Sequence, residues 1–258
     1  MNAKAANWLT PLLAVVALVV LWELICIAFQ VPEFVLPRPT QIAVVLVENF
    51  QPIWYHASHT LVTTVLGFVI AVIIGLFLGI LVGSSRMAYQ GLYPILIGFN
   101  SVPKVAVVPV LVVWFGIGTV PAVITAFLLS FFPIAVNVAT GLATVEPELR
   151  DVLRSLGATQ IDIIRKVGIP RSMPYFFASL KVAITLSFVG SVIAETLASN
   201  RGIGMLMTQA SANFRIPLVF AALVVVAALG IIMYAVFAAI ERRVIGWAVR
   251  TADFGIGG

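Results

Sequence analysis

Six continuous apolar runs dominate the chain: Pro11 to Phe29, Thr60 to Val82, Leu92 to Val113, Pro121 to Leu142, Phe176 to Ala198 and Pro217 to Ile240. Each is about 20 residues long, enough for a helix to cross a hydrocarbon core about 30 Å thick. The runs are unbroken rather than alternating with period two. Backbone groups in lipid must be satisfied within the segment, so the runs predict helices and not barrel strands. The first run is long for a secretory signal, and no clear small-x-small cleavage pattern follows it, so it reads as a span. The expected fold is all-α, a polytopic membrane protein with six transmembrane helices.

The polar interruptions refine this picture. After the first span, "VPEFVLPRPT" holds three prolines that forbid a continuous helix. A short helix from Thr40 to about Phe50 is expected next, with Thr40 as its N-cap and a face of Ile42, Val45, Leu46 and Asn49 along the membrane surface. His56 and His59 stand three apart and can share a helix face. Without a third ligand nearby in sequence they read as interfacial polar residues rather than a metal pair. The third span carries Pro94, Pro103 and Pro109, so it is expected to be kinked or interrupted beside protein or a water-filled path. Lys104 is expected to be buried there near Asn100 and Pro103, either lining a translocation route or capping carbonyls freed at the kink. Glu195, at the end of the fifth span, reads as part of a gate or as the cap of a helix restarting after Gly202. Residues 202–214 are too short to span and predict a re-entrant or surface helix. Glu23 reads as a packing or interfacial residue.

Composition agrees: 62% of the 258 residues are hydrophobic and 10% charged, against roughly 25% charged in a soluble domain. Mean hydropathy is +1.14. The net charge of +5 is topological and excludes a nucleic-acid role, because the basic residues flank the spans. With the N-terminus in the cytoplasm, Lys4, Arg86, the six basic residues from Arg150 to Lys181, Arg242, Arg243 and Arg250 lie inside. Only Arg38, Arg201 and Arg215 lie outside. Both termini are therefore expected in the cytoplasm. The single cysteine, Cys26, lies in an apolar run and reads as packing. No Gly-Lys pair occurs, hence no phosphate loop, and no acid–base or nucleophile constellation marks the chain as an enzyme.

One segment stands apart. Between the fourth and fifth spans, Leu149, Val152, Leu153 and Leu156 fall at helical spacing opposite Glu148, Arg150, Asp151 and Arg154. Gly157 predicts the C-terminal cap of this helix. Thr159 and Asp162 then open a second helix, which Gly168 and Pro170 are expected to stop. A short amphipathic helix at this position either rests on its own spans or enters a groove on a partner.

The spacing of this segment, Asp151-Val152-Leu153, three residues to Gly157, then nine to Val167-Gly168-Ile169-Pro170, resembles the coupling loop of binding-protein-dependent ABC importer permeases. Asp, Val and Leu stand where that family's pattern has Glu-Ala-Ala. "LPRPTQI", "SVPKVAVVPVLVVWFGIG" and "VIAETLASNRGIGMLM" look like signatures of the subgroup for nitrate, sulfonates, taurine and thiamine precursors. The resemblance covers roughly residues 20 to 245. It implies the type I permease fold, in a multi-pass protein of a bacterial inner membrane. The expected divisions are 1–58 (first span and outer segment), 59–245 (a five-span core with coupling loop 146–170) and 246–258 (a cytoplasmic tail). Implied partners are a second copy of the chain as a homodimer, a dimer of ABC ATPase subunits, an extracytoplasmic solute-binding protein and membrane lipid. It implies no cofactor on this chain, with ATP and Mg on the ATPase. ATPase coupling would use Asp151, Leu153, Arg154, Gly157, Ala158, Val167, Ile169 and Pro170. The pathway or gate would use Asn100, Pro103, Lys104 and Glu195. The competing reading is a secondary transporter with ion sites at Lys104 and Glu195.

Overall fold

The computed structural model describes residues 3–144 and 147–246, which are helical with no strand. The helices are α1 (Ala3–Ala28), α2 (Pro39–Glu48), α3 (Phe50–Gly83), α4 (Arg86–Ser101), α5 (Val108–Phe115), α6 (Thr119–Ala143), α7 (Pro147–Ser155), α8 (Gln160–Ile163), α9 (Ile169–Ala198), α10 (Ile203–Ala212) and α11 (Ile216–Val244). A 3-10 turn, Lys104–Val107, precedes α5, and a π turn, Ile164–Gly168, joins α8 to α9. Among the described residues α3, α6, the run 161–198 and α11 are each long and apolar enough to span a membrane. The pair α4 and α5 together with its 3-10 turn, bent by 72°, makes a fifth pass. The remaining apolar helix, α1, has its described apolar part at Leu12–Ala28 and touches the rest of the fold near its C-terminal end, through Trp22, Glu23 and Cys26.

The centre is a three-helix packing of α3, α6 and α9. Lipid gives helices no hydrophobic reason to associate, so close van der Waals approach between small residues does the work. Gly67, Gly75, Gly79 and Gly83 of α3 lie against Ala126, Ile134, Val138 and Leu142 of α6, so tightly that a Cβ at each glycine would sit 2.5 to 2.9 Å from the facing Cβ. The paired numbers rise together, so α3 and α6 run parallel. Gly190 packs on Ala126 and Gly141 on Ser172, which sets α9 antiparallel to both. Two parallel neighbours require the chain between Gly83 and Thr119 to return across the whole bundle. That return is the bent α4–α5 pass.

Several boundaries differ from the sequence expectation. The second span starts at Phe50, ten residues early, so α3 runs unbroken through position 58/59. The helix after the proline-rich loop starts at Pro39 with Arg38 as its N-cap, not at Thr40. Proline's fixed φ is pre-set for a first helical position, which draws the start forward. Thr40 instead gives its N–H and hydroxyl to Glu23 of α1, at 3.1 and 2.9 Å. The face of Ile42, Val45 and Leu46 is turned into a cluster with Ile53, Ile203, Leu206 and Leu218 rather than onto the membrane surface. Of the third-span prolines, Pro94 sits inside α4, the break falls at Val102-Pro103, and Pro109 lies in the first turn of α5. Lys181, expected on the cytoplasmic side, lies well inside α9 and pairs with Glu241 of α11 at 2.6 Å.

Candidate functional site

The charged segment forms the end of the bundle where α6 leaves and α9 begins. Its helix α7 ends in a Schellman motif: Ala158 N–H donates to the Leu153 carbonyl at 3.0 Å and Gly157 N–H to the Arg154 carbonyl at 2.9 Å. Gly157 takes φ +85°, and a Cβ there would meet nothing within 4 Å. The glycine is needed for backbone conformation alone. Thr159 and Asp162 form the expected reciprocal box: Thr159 donates through both N–H (3.2 Å) and Oγ1 (2.5 Å) to Asp162 Oδ2, and Asp162 N–H donates to Thr159 Oγ1 at 3.2 Å.

The expected stop at Gly168 and Pro170 is absent. The helix continues through a π turn in which Ile169 N–H bonds the Ile164 carbonyl, and α9 follows directly. Proline lacks the donor that would continue the α ladder, and the wider turn just before it absorbs that loss. Gly168 is buried against Leu142 of α6, and Ile163 is buried beside it. The loop is thus fastened to the core at its second half. Its first half projects: Val152, Leu156 and Ile161 are exposed by 55, 76 and 76%. Leu153, Ala158, Val167 and Pro170 are half-buried and Ile169 is exposed. Asp151 lies 3.7 Å from Arg154, a solvent-exposed pair of the kind that adds little stability.

At the broken pass, Asn100 and Pro103 are exposed and Lys104 is half-buried, not buried as expected. Lys104 Nζ donates to the Asn100 carbonyl at 2.6 Å and to Asn100 Oδ1 at 2.5 Å. Its ammonium therefore covers polar groups freed where α4 ends.

The opposite end of the bundle holds the densest polar packing among the described residues. Glu195, 1% exposed, accepts from Thr60 Oγ1 at 2.7 Å, Thr63 Oγ1 at 3.2 Å and the Gly204 N–H at 3.2 Å. Thr60 Oγ1 also accepts the Ile203 N–H at 2.8 Å. A carboxylate from α9 and a hydroxyl from α3 thus cap the start of α10, where free N–H groups favour negative charge. His56 Nδ1 accepts the Gly202 N–H at 3.2 Å. His59 Nε2 lies 3.3 Å from Thr119 Oγ1 of α6, and its Nδ1 is 3.7 Å from Glu195 Oε1. The turn tolerates only glycine: at Gly202, with φ +102°, a Cβ would overlap the Glu195 carboxyl, and at Gly204 it would press on the Val192 carbonyl. His59, Thr60 and Thr63 escaped the sequence reading as partners of Glu195, and His56 as the partner of Gly202. Their spacing, 56, 59, 60 and 63, is one helical face of polar residues at the start of an apolar run, which was the available signal. No group of three metal-ligand side chains occurs among the described residues. Beside Glu195, the end of α9 and α10 border an open groove of about 340 Å³ that Thr196, Asn200, Thr208 and Gln209 line.

Long apolar helices flanked by a broken pass, with an amphipathic helix projecting at one end and a polar knot at the other, make a polytopic membrane protein. Residues 71–246 match the family of binding-protein-dependent transport system inner membrane components, and the chain belongs to that family. It is similar to the formylaminopyrimidine transport permease protein ThiX of Halalkalibacterium halodurans, 28% identical over 93% of this chain and 96% of the relative. It is also similar to the riboflavin transport system permease protein RibX of Chloroflexus aurantiacus (30%; 89% and 87%) and the taurine transport system permease protein TauC of Escherichia coli (28%; 90% and 86%). Among solved structures it shares its fold with a chain of the MetNI methionine ABC transporter, with TM-score 0.64 and 21% identity over 77% of this chain and 95% of that one. The chain is a multi-pass inner-membrane permease component of an ABC importer for a small solute, working with an ATPase and a binding protein.

Proposed function

We propose that two copies of this chain form the membrane pathway of the importer, with both termini and the 147–168 segment in the cytoplasm and the Glu195 end facing outward. An ABC ATPase pair, carrying ATP and Mg, docks on the projecting α7 helices. The carrying observation is the Schellman-capped helix with exposed Val152 and Leu156, followed by exposed Ile161 at the start of α8, an apolar surface that an isolated chain leaves uncovered at the junction of α6 and α9. Asp151, Leu153, Arg154, Gly157 and Ala158 set the docking helix and its turn. Val167, Ile169 and Pro170 carry its motion into α9 through the continuous helical run 161–198, so closure of the ATPase pair moves the start of α9. Asn100, Pro103 and Lys104 form a flank of the pathway at the broken pass, and Glu195 holds the outer gate elements in register. Lipid covers the remaining apolar faces. The divisions 1–58, 59–245 and 246–258 then mark the first span with its outer segment, the working core and a tail, with α3 crossing the first boundary; residues beyond 246 lie outside those described.

The cargo is a small organic or inorganic anion, a vitamin or a vitamin precursor, a range supported by relatives named for formylaminopyrimidine, riboflavin, taurine and nitrate. Reconstitution with the neighbouring ATPase and binding protein tests the assignment. ATP-dependent uptake that vanishes on Gly157→Pro supports it, and uptake that persists without any ATPase overturns it. A thermal-shift screen of the binding protein against pyrimidines, flavins, sulfonates and nitrate identifies the cargo.

A further inference from the structure

Glu195 is enclosed by donors that carry no charge: two threonine hydroxyls and one backbone N–H. Beside it, His59 Nδ1 is buried and has no hydrogen-bond partner, although Glu195 Oε1 lies only 3.7 Å away. An unpaired buried carboxylate and an unsatisfied buried ring nitrogen are each costly, by about 1–3 kcal/mol or more for the unmet polar group alone. A single proton relieves both at once. On the carboxyl it makes Glu195 neutral and a donor toward Nδ1. On the imidazole it makes an ion pair across the 3.7 Å gap.

We propose that His59 and Glu195 form a proton-binding site, sharing one proton that ties α3 to α9, while the other ring nitrogen of His59 meets Thr119 at the start of α6. The bound proton is structural and is not a transported ion. It seats Glu195 against the first turn of α10.

The surroundings favour this pair over the other histidine. His56 uses its Nδ1 lone pair to accept the Gly202 N–H, so a proton at that atom would set two donors against each other. On α3, Tyr55 stands edge-on to His56, with ring centroids 5.2 Å apart. From the turn before α10, Arg201 lies over the Tyr55 ring at 6.0 Å, and its positive charge reaches His59; a proton held on the carboxyl side of the pair keeps clear of that repulsion. α6 contributes Thr119, which does not titrate in this range. The proton therefore belongs between His59 and Glu195 rather than on His56.

The chain holds two histidines in all, so imidazole nitrogen resonances of the full-length, ¹⁵N-histidine-labelled chain in lipid nanodiscs resolve them. In the wild type at pH 6.5 the His59 resonance should be that of a proton-sharing ring, and in Glu195→Gln its protonated fraction should fall at least threefold, with His56 unchanged. Should Glu195→Gln fail to fold, His59→Gln serves. The thermal midpoint of the wild type should drop by several degrees between pH 6 and 8.5 as the proton is stripped. His59→Gln should lose at least half of that drop, and His56→Asn, which keeps an acceptor at the Nδ1 position, should retain it. A pH response that is the same in His59→Gln as in the wild type, or that disappears in His56→Asn, overturns the proposal. These readouts need no ATPase and no cargo, so the result stands apart from the importer reading.

Discussion

The two ends of this bundle are built on opposite plans. At the Glu195 end, side chains from α3 and α9 meet the backbone of α10, and partners lie as far as 146 residues apart in sequence. Every element there constrains another. At the loop end, α7 is held by its own turn: the Schellman bonds and the Thr159–Asp162 box join residues no more than five positions apart. Val152 and Leu156 remain exposed and Leu153 is half-buried, while among the described residues of the loop only Ile163 and Gly168 are fully buried. A segment with local order and few tertiary contacts keeps its shape yet retains an uncovered face, which is what a docking element requires. The knotted end is suited instead to holding helices in register.

The comparison is broken most forcefully at Gly202. Replacing it with alanine drives a Cβ into the Glu195 carboxyl and forces a non-glycine residue to φ +102°. We expect a loss of about 3 kcal/mol or more from overpacking and strain together, seen as a collapse in the yield of monodisperse protein and in its thermal midpoint. Gly157→Pro is next. Proline removes the Gly157 N–H bond and cannot adopt φ +85°. Uptake and ATPase co-purification should fall by about tenfold or more, since loss of one turn's geometry misplaces the whole docking face, while the thermal midpoint stays within a few degrees of wild type. A mutant whose midpoint collapses along with uptake would show that the loop is not the independent unit described here.

Gly157→Ala sharpens the contrast with Gly202→Ala. The same change meets open space, so only the left-handed conformation is penalised, by about 1–2 kcal/mol. Docking should weaken several-fold, measured as ATPase affinity, without loss of folded protein. The smallest expected effect is at Lys104, which belongs to neither end. Lys104→Ala removes its bonds to Asn100 and should cost about 1 kcal/mol of stability. Uptake should fall more than assembly if the broken pass flanks the route. Equal loss of both would confine Lys104 to capping.

Legibility followed the range of the interactions. The capping glycine at 157 and the Thr159–Asp162 box were readable because each joins residues a few positions apart. The broken third pass was readable because proline acts on its own backbone. Pro170 misled for the same reason: locally it predicts a stop, yet packing of Gly168 on Leu142 and the π turn carry the helix through. Glu195 was visible as a carboxylate in an apolar run, but its partners on α3 were not, because nothing in one helix says which face of another it will meet.

By itself, then, the sequence determined the elements: apolar runs long enough to cross a bilayer, one proline-broken pass and one amphipathic helix with a glycine cap. Those follow from hydrophobicity and from backbone chemistry within a few residues. The parallel seating of α3 on α6 through glycines 67, 75, 79 and 83, and the closing of Glu195 over α10 beside His59, were decided only in three dimensions. Both depend on atoms from distant segments approaching within van der Waals or hydrogen-bond range, and that complementarity exists only once the helices are packed.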